Sequence, residues 1–140
     1  MENIKFYELK LNKTIKDIKE NGDDLMITFE DDTFLNLESS HDQDCCENVY
    51  ADFSVIKYYK KQIIKDDWCG TKDIVSLDIK FVEDMGMLLV FRGKYSDVKV
   101  FIACYNEQNG YYSSELTLTI NNNGNKEVVD ISRCVEDYIG

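Results

Sequence analysis

The chain has 140 residues and carries 27 Asp and Glu against 16 Lys and Arg, a formal net charge of −11. This length predicts a single domain over residues 1–140. With 44% hydrophobic residues the chain is too apolar for intrinsic disorder. Its negative charge argues against direct binding to nucleic acid or to an anionic membrane surface, because both would repel it.

Targeting signals are not evident in the sequence. The longest apolar stretch, Met85 to Phe91, is far shorter than the roughly 20 residues of a membrane-spanning helix. The N-terminus lacks the basic flank and apolar core of a signal peptide. The five cysteines are odd in number and irregularly spaced, unlike the disulfide framework of a secreted domain. We therefore predict a reduced, cytoplasmic protein without a membrane segment.

Most of the chain alternates between apolar and polar side chains, which is the period-two pattern of β-strands. The segments Leu25–Phe29 and Phe34–Leu37 are joined by Glu30–Thr33 and predict a hairpin. Leu88–Phe91 is apolar on both faces, as a central strand would be. Further strands are predicted at residues 75–81, 98–104 and 116–120. The short connections between them favour antiparallel pairing.

A short helix is predicted between residues 51 and 65. Lys57, Lys61 and Lys65 are spaced at i, i+4 and i+8, which places them on one helical face. The segment Arg133–Tyr138 is a second, weaker helical candidate. The predicted fold class is α+β: a mostly antiparallel sheet of about 6–7 strands with one short helix after the Cys45–Cys46 segment.

The negative charge is concentrated between Asp17 and Glu47, a segment with eleven acids and the single base Lys19. One interpretation is a solvated edge that keeps the protein soluble. The other is a surface for a basic protein partner. Calcium binding is disfavoured because the acids do not follow the spacing of a calcium loop. The predicted partner contacts within this segment are Asp23, Asp24, Asp31, Asp32, Asp42, Asp44 and Glu47.

A basic cluster follows the acidic segment and contains Lys57, Lys60, Lys61 and Lys65. The simplest interpretation is the exposed face of a short helix. The cluster could also pair with the acidic segment, either within the fold or between two subunits, so the charge pattern allows a homodimer. It is too small to make the chain a nucleic-acid-binding protein.

Residues 41–47 hold the only histidine together with two thiols and three carboxylates. Any Cys–His catalytic pair must use His41, and both extended and helical geometry place Cys45 rather than Cys46 beside it. His41, Cys45 and Cys46 are also candidate zinc ligands, although the second ligand pair of a structural zinc site is missing. Cysteines that simply pack in the interior are the alternative interpretation.

A second candidate is the segment Asn109–Ser113. Asn-Gly is a strong hairpin signal because both residues accept positive φ. Tyr111 and Tyr112 follow at once and are candidate aromatic anchors for a partner. Because adjacent strand residues point to opposite faces, the two rings cannot both lie in the core.

Three short segments, Asn12–Ile15, His41–Glu47 and Asn109–Ser113, resemble an uncharacterised family of small proteins encoded in bacteriophages, prophages and their Gram-positive hosts. The family carries a His-(Glu/Asp)-Gln-Asp-Cys-Cys-Glu box and an Asn-Gly-Tyr-Tyr-Ser segment. The stretch Val55–Tyr58 departs from the family, in which an Ile-Cys-Gly-Asp type sequence is expected there. The resemblance implies a mobile-element accessory gene but no activity.

Small acidic phage proteins often bind a host protein, as anti-restriction and anti-CRISPR proteins do, and this class analogy sets the leading hypothesis. We predict a non-catalytic protein that inhibits a host factor with a basic or nucleic-acid-binding surface, in the host cytosol and without a cofactor. The first alternative is a metal-binding or cysteine-dependent enzyme centred on His41 and Cys45. The second is a protein that sequesters a small nucleotide signal, for which basic residues near the tyrosines are scarce.

Overall fold

A computed structural model of the chain describes residues 6–40, 49–64, 73–94, 96–106 and 115–135. The strands in these ranges are β1 (Phe6–Glu20), β2 (Asp24–Phe29), β3 (Phe34–Ser40), β4 (Val49–Ala51), β5 (Asp73–Val82), β6 (Gly86–Gly93), β7 (Asp97–Asn106), β8 (Thr117–Asn122) and β9 (Asn125–Asp130). The helical elements there are α1 (Lys60–Ile64) and two 3₁₀ helices, Phe53–Tyr58 and Ser132–Cys134.

The strands form one sheet in the order β4-β7-β6-β5-β1-β2-β3-β8-β9, and every neighbouring pair is antiparallel. The prediction of a mostly antiparallel sheet is therefore confirmed. All six predicted strands are present, and the apolar strand β6 lies between β5 and β7 as expected of a central strand. The predicted number of 6–7 strands is too low, because the described residues already form nine.

The three strands that the sequence pattern did not indicate are β1, β4 and β9. β1 carries charged side chains throughout, and two register shifts change the phase of its apolar residues. β4 has only three residues, which is too short for alternation to be recognised. β9 is exposed along nearly its whole length, so its sequence does not alternate between apolar and polar residues.

β1 is the longest strand and lies where the two halves of the sheet meet. Its first half pairs with β5 and its second half with β2, and the pairing shifts between Lys10 and Lys13. Asn12, within this shift, has a φ of 52°, a conformation that asparagine tolerates better than most residues. The two halves of the sheet share one hydrophobic core, in which the largest fully buried side chains include Phe29, Phe53 and Phe91.

Backbone contacts join the two halves at their far ends. The Phe53 amide donates to the Gly22 carbonyl at 2.8 Å, beside the β1–β2 turn. The Asp84 amide, in the β5–β6 turn, donates to the Arg133 carbonyl at 2.8 Å. Each bond therefore ties the segment that follows an edge strand, β4 or β9, to a turn in the other half of the sheet.

The predicted helix over residues 51–65 is only partly present. Ala51 ends β4, and the Asp52 carboxylate accepts a hydrogen bond from the Ser54 amide at 3.0 Å to cap the first 3₁₀ helix. The five-residue α1 follows, and β-branched and aromatic residues, which disfavour a long helix, fill the stretch before it. Of the C-terminal candidate Arg133–Tyr138, the described residues end at Val135 and include a 3₁₀ turn over Ser132–Cys134, and residues 136–138 lie outside them. Over the described ranges, no helix combines the length and apolar character needed to cross a bilayer.

Candidate acidic interaction surface

The predicted acidic contacts do not form one cluster. Asp23 and Asp24 lie where β2 begins, whereas Asp31 and Asp32 lie in the turn after β2 ends. A strand of six residues separates the two pairs by roughly 20 Å. The other predicted contacts and ligands lie outside the described residues: His41, Asp42, Asp44, Cys45, Cys46, Glu47, Tyr111 and Tyr112. Their roles stay predictions.

Lysines of β1 neutralise the Asp31–Asp32 end of β2. Lys13 Nζ lies 3.6 Å from Asp31 Oδ2, and Lys16 Nζ lies 4.0 Å from Asp32 Oδ1. The Thr33 amide and hydroxyl donate to Asp31 Oδ1 at 3.0 and 2.5 Å. Hydrogen bonds from Thr33, with a smaller contribution from Lys13, hold the pKa of the Asp31 carboxyl below its usual value. These carboxylates therefore already have partners within the chain.

The other end of β2 is arranged differently. Asp24 lies directly opposite Glu38 of β3, on the face of the sheet that points away from the core. Asp24 Oδ1 accepts a hydrogen bond from the Asn36 side-chain amide, and Glu38 is exposed. Asp23 is exposed as well, and its carbonyl accepts from the Ser39 amide at 2.9 Å, which fixes its backbone against β3.

Asp23, Asp24 and Glu38, called the acidic patch below, have no ion pair with any residue that the structure describes. Like charges directly opposite each other on a sheet repel, so this arrangement costs stability unless a cation is supplied from elsewhere. Glu38 was missed as a contact because its position depends on the hairpin register, which the sequence alone did not fix.

The basic cluster contributes one ion pair to the acidic segment. Lys60 Nζ, at the start of α1, lies 3.3 Å from Asp17 Oδ1 on β1. Pairing within the fold was one of the alternatives for this cluster, and here it amounts to a single ion pair whose side chains are both more than one third exposed, so it stabilises little. Lys57 and Lys61 are exposed, as expected for the outer face of a short helical segment.

The described cysteines are packing residues. Cys104 of β7 and Cys134 of the C-terminal 3₁₀ helix are free and fully buried in the core. Burial raises the pKa of Cys104 to about 12 and that of Cys134 to about 11, so both stay protonated and unreactive at neutral pH. Among the described side chains, no three metal-ligating groups lie close enough together to hold an ion.

Comparison with known proteins adds no relative. No protein family model, curated protein or solved structure matches this chain. The acidic patch is therefore interpreted from its own geometry and charge.

Proposed function

We propose that the protein is a non-catalytic binding protein whose acidic patch contacts a basic surface on a protein partner. The observation that supports this is the pair Asp24 and Glu38, which face each other across β2 and β3 without a compensating cation in the described part of the chain. The carboxylates at the other end of the same strand have lysine partners.

A basic partner would relieve the repulsion within the acidic patch. An arginine placed between Asp24 and Glu38 could donate hydrogen bonds to both carboxylates, because its guanidinium presents five N–H donors in a planar fork. The net charge of −11 would also steer a basic partner toward the protein and speed association at low salt. Nucleic acid would be repelled by the same field, so the partner surface is a protein surface, such as one that itself binds nucleic acid.

The identity of the partner as a host factor is the further part of the proposal. It draws on the resemblance of three short segments to proteins of phages and prophages, and on the class analogy with small acidic proteins that block host defence. In this role the protein would occupy the basic site of the host protein and exclude the nucleic acid that normally binds there.

The test compares the two ends of β2. The bait is the full chain, used to capture proteins from the lysate of a Gram-positive host, and the captured protein is then purified for titration calorimetry. The double variant Asp24→Lys with Glu38→Lys should weaken binding at least tenfold, a loss of about 1.4 kcal/mol. The matched control, Asp31→Lys with Asp32→Lys, has the same change in net charge and should retain most of the affinity.

Two outcomes would contradict the proposal. Equal losses in both variants would mean that overall charge, and not the acidic patch, governs binding. Unchanged affinity in the Asp24→Lys, Glu38→Lys variant would exclude the acidic patch as the contact. Circular dichroism melting of each variant checks that the hairpin still folds.

A further inference from the structure

β9 is the last strand of the sheet and pairs only with β8. The two strands are joined by Asn123 and Gly124, both with positive φ, so Asn122 and Asn125 close a two-residue hairpin turn. In this hairpin the backbone groups of Asn125, Glu127 and Val129 point toward β8. Those of the alternate residues, Lys126, Val128 and Asp130, point away from the sheet.

The outward backbone groups of β9 have no hydrogen-bond partner in the described part of the protein. They are also accessible, because Lys126 and Asp130 are exposed and the Val128 side chain is 65% exposed. Val128 is thus a large apolar residue in the middle of an open strand edge.

Proteins usually protect such edges with prolines, bulges or very short strands. The opposite edge of this sheet follows the rule, since β4 has only three residues. β9 has six residues and pairs with β8 without a register shift, and the chain contains no proline. Among the described residues, the β9 edge is therefore long and regular, and its protection is confined to the charged side chains of Lys126, Glu127 and Asp130.

We propose that β9 pairs with β9 of a second copy of this chain, antiparallel and about a two-fold axis at Val128. In this register the two Val128 side chains meet at the axis. Lys126 of each copy lies opposite Asp130 of the other copy, which gives two Lys–Asp pairs. These three pairs join the residues whose backbone groups point outward, so each pair can exchange both of its backbone hydrogen bonds.

Charge complementarity selects this register among those that the backbone allows. Pairing centred on Glu127 would place two glutamates against each other, and pairing centred on Val129 would place Val128 opposite Asp130 and lose the Lys–Asp pairs. Only the axis at Val128 gives two opposite-charge pairs and one apolar pair, which are the favourable cross-strand combinations. Asp130 Oδ1 accepts from the Ser132 amide and hydroxyl, which leaves Oδ2 for Lys126 of the second copy.

The contact is small, so the dimer should be weak. A single strand edge buries less than the roughly 1,200 Å² of a stable standard interface. We expect monomer and dimer to exchange in the micromolar range or above, with the dimer dissociating on dilution.

Analytical ultracentrifugation of the full chain over a wide concentration range tests the proposal. The wild type should approach twice the 16.3 kDa chain mass at high concentration. Lys126→Asp alone and Asp130→Lys alone each put like charges opposite each other and should stay monomeric. An equimolar mixture of the two variants should dimerise again, because both pairs between positions 126 and 130 of the unlike chains are then of opposite charge.

A mixture that stays monomeric while the wild type dimerises would overturn this register, and dimerisation of the single variants at the wild-type concentration would overturn the β9 surface itself. A monomeric wild type at near-millimolar concentration would overturn the proposal outright. Hydrogen exchange gives a second readout that is independent of variant folding. The amides of Lys126, Val128 and Asp130 should become more protected as the wild-type concentration rises.

Discussion

Asp24 of β2 and Val128 of β9 lie at the two ends of one cross-strand row on the outer face of the sheet. Asp24 is opposite Glu38, Glu38 is opposite Thr119, and Thr119 is opposite Val128. Self-pairing at Val128 would continue this row into the second copy and place the two Asp24 residues roughly 34 Å apart, and the two Glu38 residues roughly 24 Å apart, on one face. A partner with a repeated basic site could then bind both, so the dimer would increase the effective affinity of a weak single contact.

The buried carboxylate of Asp78 should make Arg92 important for stability. Asp78 lies in the middle of β5 with only 1% of its surface exposed, and its Oδ2 accepts from Arg92 Nε. Replacing Arg92 by Met would leave this buried charge without its cation. We expect the free energy of unfolding to fall by about 2–4 kcal/mol, below the loss for a fully buried pair because Arg92 is itself 41% exposed.

Urea unfolding of Arg92→Met measures this loss, and Asp97→Asn is its control. Arg92 Nη1 also lies 3.1 Å from Asp97 Oδ2, but the Asp97 side chain is 37% exposed. Removing that charge should cost less than about 1 kcal/mol. Similar losses in the two variants would show that Asp78 does not depend on Arg92 for its charge compensation.

Gly86 should not tolerate a side chain. It begins β6 with a φ of 152°, and a Cβ atom there would overlap the Ile102 carbonyl oxygen and lie 2.9 Å from Ala103 Cα on β7. Because both contacts are backbone atoms of a paired strand, neither can move without breaking the ladder. Gly86→Ala should lower the free energy of unfolding by about 3 kcal/mol or more.

Gly22→Ala is the matched control for Gly86. Gly22 also has a positive φ, 69°, but a Cβ atom there meets nothing within 4 Å. Gly22→Ala should therefore lower the free energy of unfolding by backbone strain alone, about 1–2 kcal/mol. Thermal or urea unfolding separates the two values, and equal losses would mean that steric overlap at β7 contributes nothing.

The hairpin of β2 and β3 shows where prediction from sequence stops. Alternation correctly identified both strands and the connection Glu30–Thr33 between them, but it did not fix their register. In the structure Asp32 adopts a φ of 67°, and the Thr33 carbonyl accepts from the Phe29 amide at 2.9 Å. A register different by one residue would reverse which side chains share a face. The turn conformation therefore places Glu38 opposite Asp24, and alternation alone could not locate the acidic patch.

β5 shows a second limit. Alternation over residues 75–81 predicts an apolar face with Val75, Leu77, Ile79 and Phe81 and a polar face with Ser76, Asp78 and Lys80. Leu77, Ile79 and Phe81 are buried accordingly, but Val75 is exposed at a register shift between Ile74 and Ser76. Asp78 is buried although it belongs to the polar face, and Arg92 of the neighbouring strand supplies its cation. Contacts between strands cannot be read from the alternation within one strand.

The two buried thiols make a prediction for alkaline pH. Burial keeps Cys104 and Cys134 protonated in the folded protein, with pKa values of about 12 and about 11 against an ordinary 9.0. In the unfolded chain both ionise near pH 9, so the unfolded state releases protons that the folded state retains. The free energy of unfolding should therefore be insensitive to these thiols below pH 9 and should fall as the pH rises toward 11–12.

Urea titrations at pH 8, 9 and 10 measure how the free energy of unfolding falls with pH. The comparison protein is Cys104→Ala with Cys134→Ala, which should be less stable at pH 8, because two buried side chains are lost, but should show a flatter decline above pH 9. In a background of Cys45→Ser, Cys46→Ser and Cys69→Ser, a disulfide reagent should leave both remaining thiols unmodified at pH 8 until urea is added. Rapid modification of the folded protein would contradict the burial of these thiols, and parallel slopes would contradict their raised pKa values.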